Sequence, residues 1–216
     1  QWAAIVRSFD KTTTNPRIKC ISRLALHYTG KKVAALEGVR EIWLTTQPLS
    51  AECTAVITLW HSSGKMTSDD IWDRIELSFT KARPAEAHSI AHLVPKKERF
   101  WVSIWNRVYR QPESVTQEIL VKSKHPVAKR IMAYGIVRLA RNRLDLALKT
   151  WEGTLSNLDF SRAQKAAMFR AIGLSYAYRG HPEAIRWLSQ IANEHADDDV
   201  KDWRVRVSIA HEKWAD

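Results

Sequence analysis

The sequence predicts an all-α fold: a superhelical α-solenoid of stacked helix pairs forming a single domain over residues 1–216. Three observations predict it. Apolar residues recur at helical spacing along nearly the whole chain, and short turns are all that interrupt them. Glycine and proline number only seven each in 216 residues, too few for a turn-rich β fold. A unit of polar or glycine turn, alanine and then tryptophan recurs raggedly in "GKKVAALEGVREIW", "RNRLDLALKTW" and "RGHPEAIRWL". Helix pairs repeated without a fixed period stack as a solenoid rather than as a compact bundle.

The elements follow in order. Ile18, Ile21, Leu24, Ala25 and Tyr28 form one apolar stripe, stopped at Gly30. Val33, Leu36, Val39, Ile42 and Trp43 form the next, read as one continuous helix ending before Pro48. Ser50 caps a helix carrying Val56, Leu59 and Trp60, which stops at Gly64. Thr67 caps the next, with Ile71, Trp72, Ile75 and Phe79 on its apolar face. Helices are then expected over Ala85–Val94, Lys97–Tyr109, Val127–Ala140, Asp145–Leu155, Ser161–Tyr178, Pro182–Ala192 and Val200–Trp214. Of the ten tryptophans, Trp43, Trp60, Trp72, Trp101, Trp105, Trp151 and Trp187 fall on apolar faces or their edges, where packing between helices is the expected role. Trp2, Trp203 and Trp214 lie near the chain ends.

Composition narrows the function. No apolar run approaches the ~20 residues of a membrane-spanning helix. The 34 lysines and arginines outnumber the 23 acidic residues, giving a formal charge of +11 that favours anionic partners. The basic residues are scattered along polar helix faces, and no nucleic-acid-binding motif accompanies them, so a nucleic-acid partner is not expected. Arg138, Arg141 and Arg143 cluster around one turn and are the candidate contacts for an anionic polymer, with a solvated cluster as the alternative.

Three constellations resemble active sites and are read otherwise. His88 and His92 are one helical turn apart, a spacing that can hold zinc, but Ser89 stands where a metalloprotease needs glutamate. No third ligand lies nearby, so a solvated or capping pair is expected, with no metal and no cofactor. The acidic run before the last helix, Asp197 to Asp199, is a helix cap, since a calcium loop needs alternating oxygen ligands and a glycine. Glu113 and Ser114 follow Pro112 in a turn that opens a helix. No phosphate loop, nucleophile elbow or Ser/His/Asp arrangement is present.

The order of these features resembles the N-terminal helical region of the soluble lytic murein transglycosylases. The stretches that carry the resemblance start at Cys20 and run through "LALHYTGKKVAALEGVREIWLT", "QPLSAECTAVITLWHSSGKMTSDDIWDRI" and "KARPAEAHSIAHLVPKKERFW". They continue with "GIVRLARNRLDLALKTW", "GHPEAIRWLSQI" and "WRVRVSIAHEKW". The Glu-Ile-Trp-Leu-Thr element at 41–45 is the most specific of them, and residues 1–16 match only loosely.

The resemblance implies a U-shaped or ring-like superhelix, ahead of a lysozyme-like domain that cleaves peptidoglycan to 1,6-anhydro products with a glutamate acid/base. That catalytic domain is expected outside these 216 residues, in the same polypeptide. Glu113-Ser114 lies within the superhelical stretch and lacks the Gly-Leu-Met-Gln-like sequence that follows the family's Glu-Ser, so no catalytic residue is assigned. The resemblance also implies a Cys20–Cys53 disulfide, a periplasmic location and weak binding of peptidoglycan through the basic surface; two reduced, buried thiols are the alternative for the cysteines. The function it implies is a scaffold that positions peptidoglycan or restricts its access. A free-standing helical-repeat module for a protein partner is the competing reading.

Overall fold

The computed structural model describes residues 1–9 and 12–211, and the chain is all-α, with no strand among the described residues. It divides into two compact units, broken between Arg99 and Phe100.

The first unit contains α1 (Trp2–Ser8), α2 (Pro16–Tyr28), α3 (Lys32–Leu36), α4 (Val39–Trp43), α5 (Ala51–Ser62), α6 (Ser68–Thr80) and α7 (Pro84–Ile90). Each start has a local cause. Pro16 opens α2, where its missing N–H is no loss, and the Asn15 side chain accepts a bond from the Arg17 N–H. Thr67 and Asp70 cap α6 reciprocally: the Asp70 N–H donates to Thr67 Oγ1 at 3.2 Å and the Thr67 N–H to Asp70 Oδ2 at 2.8 Å. Ser50 occupies the N-cap of α5, but its side chain makes no capping bond.

One predicted helix is two. Gly38 has φ +67°, in the left-handed region, and splits the expected Val33–Trp43 helix into α3 and α4. The break turns Val39, Ile42 and Trp43 into a core that also holds Cys20, Leu24, Cys53, Val56 and Trp60. A second correction concerns the apolar stripes. Ile18 and Tyr28 sit in the first and last turns of α2, beyond its packed middle, and both are exposed, as is Val33 at the start of α3. Tyr28 is stacked on Trp2 of α1 instead, with ring centroids 5.0 Å apart.

The second unit contains α8 (Phe100–Arg110), α9 (Glu118–Val121), α10 (Pro126–Asn142), α11 (Leu144–Thr150), α12 (Arg162–Ala177), α13 (Glu183–Leu188) and α14 (Asp198–Ala210). Ser161 and Gln164 form a second capping box on α12, and the Asp197 carboxylate accepts from the Val200 N–H to cap α14, as the acidic run predicts. The helix expected over 145–155 is α11 followed by one π-helical turn, Trp151–Leu155. Trp151, Phe169 and Trp187 meet edge to face in sequence, with centroids 5.3 and 5.5 Å apart, and link that turn to α12 and α13. All seven tryptophans assigned to packing are buried. Trp203 is half-buried against Tyr178, whereas Trp214 and the expected extension of the last helix to it lie outside the described residues.

Candidate functional site

Trp43, in the Glu41–Thr45 element, forms part of the wall of a concavity in the first unit. The chain leaves α4 at Trp43, turns through Pro48 and enters α5, so the Trp43 and Thr45 carbonyls need donors from another element. Arg74 of α6 supplies them. Its side chain is 1% exposed, and its Nη1 donates to the Trp43 carbonyl at 2.7 Å and the Thr45 carbonyl at 2.6 Å. Its Nη2 pairs with Glu86 of α7, and the guanidinium lies 5.6 Å from the centre of the Trp43 ring. Trp43 returns the contact, its indole N–H donating to the Asp70 carbonyl at 2.7 Å.

Arg40 bridges Asp70 and Asp73 at 2.7 Å each, and Arg83 donates to the Thr46 carbonyl. Burial pushes the Asp70 carboxyl up, but bonds from Thr67 and Arg40 outweigh it and hold the group below its ordinary value; Arg40 is raised, chiefly by its bond to Asp70. These arginines went unassigned in the sequence. The signal was present for Arg74, which falls three residues after Ile71 and one before Ile75, on the apolar face of α6.

Behind that wall lies a half-open groove of about 710 Å³. Trp43, Leu49, Ile57, Ile90 and Leu93 give it an apolar lining, and His61, Arg83 and His92 contribute polar groups. Of the two histidines considered for zinc, His92 borders the groove while His88 does not. Each places its Nδ1 on a backbone carbonyl, His88 on that of Pro84 and His92 on that of Ser89. No group of three metal-ligating side chains occurs among the described residues.

Cys20 and Cys53 form a disulfide that joins α2 to α5, with Cα atoms 5.0 Å apart and both residues fully buried. Arg17 and Glu52 pair beside it at 2.8 Å, and the hydrogen bond from Arg17 is the main cause that lowers the Glu52 carboxyl to about 2.

In the second unit the candidate arginines do not act alike. Arg138 lies half-buried on α10 with its guanidinium 4.5 Å from the centre of the Tyr109 ring, and it donates to the Tyr134 hydroxyl at 3.3 Å. Burial pushes the Tyr134 hydroxyl up to about 12. Arg141 and Arg143 are exposed at the end of that helix. Arg143 approaches Glu113 at 3.9 Å, so the Glu113-Ser114 turn carries a surface ion pair.

Solved structures share this architecture. An inactive mutant of the lytic transglycosylase Slt from Pseudomonas aeruginosa superposes with a TM-score of 0.86 over 99% of the chain, at 24% identity. The chain has a lytic-transglycosylase-like helical fold. The 70-kDa soluble lytic transglycosylase of Escherichia coli gives a TM-score of 0.63 over 99% of the chain at 14% identity, and so does the same type of enzyme in complex with bulgecin A. The chain spans 34% of the Pseudomonas protein and 40% of the others, so it has the fold of part of each enzyme. No protein-family model matches it, and no curated protein does.

Proposed function

We propose that the chain is a helical scaffold of a periplasmic peptidoglycan lytic transglycosylase. In this reading it positions the glycan for a catalytic domain of the same polypeptide, or restricts its access, and does not itself cleave it. The observation that carries the reading is the TM-score of 0.86 sustained over 99% of the chain. The disulfide supports an oxidising compartment such as the periplasm. The +11 charge supports a polymer whose stem peptides bear carboxylates. Arg141 and Arg143 present charge at the end of α10, and Arg138 adds to it from its seat on Tyr109.

Exposed charge pairs are individually weak, so several must act together. Salt then weakens the binding, because the screening length shrinks from about 10 Å at 0.1 M to about 3 Å at 1 M. The test is a sacculus pull-down across that salt range, with muropeptide analysis of the supernatant. The expected result is retention that falls with salt and no anhydro-muropeptides. Retention indifferent to salt, or anhydro products released by this chain alone, would overturn the reading.

A further inference from the structure

The groove behind the Trp43–Pro48 turn has the size and lining of a small-molecule site, and its charge is one-sided. Its volume of about 710 Å³ falls within the ~300–1,000 Å³ range of ligand pockets. Glu86 is the one carboxylate among the lining residues, and it is occupied: one oxygen pairs with the buried Arg74 and the other lies 3.7 Å from Arg83. The remaining charged and titratable groups on the wall are Arg83, His61 and His92. Arg83 donates one of its five N–H groups to the Thr46 carbonyl and lies 3.7 Å from Glu86, which holds it in place. A cation fixed in this way binds an anion without first losing much side-chain freedom. His92 has its Nδ1 on the Ser89 carbonyl, which leaves Nε2 for a ligand. Trp43, Leu49, Ile57, Ile90 and Leu93 supply an apolar bed beside these groups.

We propose that the groove binds a small amphipathic carboxylate, its acyl or aryl body on the apolar bed and its carboxylate against Arg83 with His61 and His92. The proposal is independent of the scaffold reading and holds whether or not the chain contacts glycan.

The test follows the Trp43 indole N–H by NMR, since that ring lines the groove and its N–H is fixed on the Asp70 carbonyl. The probes are octanoate and its neutral counterpart octanamide. Octanoate is expected to saturate the shift with an affinity at least about tenfold above that of octanamide, which corresponds to about 1.4 kcal/mol. Arg83→Gln is expected to erase the preference for octanoate. The double change His61→Gln and His92→Gln, which leaves the Arg74 network untouched, is expected to reduce it and serves if R83Q fails to fold. Thr58 is exposed at the rim and its hydroxyl donates to the Thr54 carbonyl within α5, so Thr58→Trp is expected to fold and to block both probes. Equal affinity for the two probes, octanoate binding that survives T58W, or no saturable shift would each overturn the proposal.

Discussion

Arg74 shows how much a single buried charge can be asked to hold. Its guanidinium satisfies the Trp43 carbonyl at the end of α4 and the Thr45 carbonyl just past it, and pairs with Glu86, so the turn to Pro48 and the groove wall depend on it. Removing one partner of a buried pair leaves the others desolvated and unpaired, at a cost of several kcal/mol. Arg74→Met is therefore expected to destabilise the protein by about 3 kcal/mol, read as a lower urea midpoint with little change in slope. A variant as stable as the parent would show that water replaces the guanidinium. Glu52 makes the opposite kind of contribution, at the solvent edge. Its folded value of about 2 lies below its ordinary 4.5, so its pairing with Arg17 stabilises the fold fully above about pH 4.5 and is lost as the pH falls through about 2. Glu52→Gln is expected to be less stable than the parent at pH 7. The gap should close between pH 4.5 and 2 in thermal melts followed by circular dichroism, and a gap independent of pH would remove the titration from the account.

At the level of the helix, what was legible in the sequence was what local chemistry decides. Thr67, Ser161 and Asp197 announce helix starts because their oxygens satisfy N–H groups a few residues away, and all three are seen doing so. Tryptophans on apolar faces are buried because only packing can cover so large a ring. What was not legible depends on partners distant in sequence. The exposure of Ile18, Tyr28 and Val33 follows from where neighbouring helices end, which periodicity does not carry. The groove is equally hidden, since its lining comes from the turn after α4, from α5 and from α7. Gly135 is an instructive case. It sits in the middle of α10, where alanine would ordinarily gain about 1 kcal/mol in helix propensity. Here an added Cβ would lie 1.9 Å from Val115 Cγ1 and 2.9 Å from Val108 Cγ1, neither of which has a flexible chain to swing aside. Gly135→Ala is thus expected to destabilise by about 1–3 kcal/mol, because overpacking exceeds the propensity gain. A stabilised G135A in chemical denaturation would mean that α10 can shift away from both valines.

For the molecule as a whole, part of the +11 charge is committed to internal work. Arg23 donates to the Ala34 carbonyl, Arg74 to those of Trp43 and Thr45, and Arg99 to those of His92 and Val94. Arg204 does the same for Leu188 and Ile191. In each case an arginine engages carbonyls at or just past the end of a short helix, for Arg99 the 3-10 turn Ala91–Leu93, where negative dipole charge collects. A fold built from many short helices has many such ends, which is a structural reason for an arginine-rich composition and reduces the share of charge left for an external polymer. The same architecture sets the reach of the disulfide. In stacked helices each element is stabilised mainly by its immediate neighbours, so a crosslink acts locally. Closing the loop between Cys20 and Cys53, 33 residues apart, stabilises the fold by about 4 kcal/mol in the chain-entropy view. Both cysteines lie in the core with Val39, Trp43, Val56 and Trp60, so their reduction loosens α2 and α5 together. Hydrogen exchange after reduction is expected to lose protection in α2, α4 and α5, while amides of α10 and α12 exchange as before. Loss of protection spread evenly along the chain would show that stability is shared far beyond neighbouring helices. Unchanged exchange in α2 and α5 would show that packing around the two sulfurs suffices without the bond.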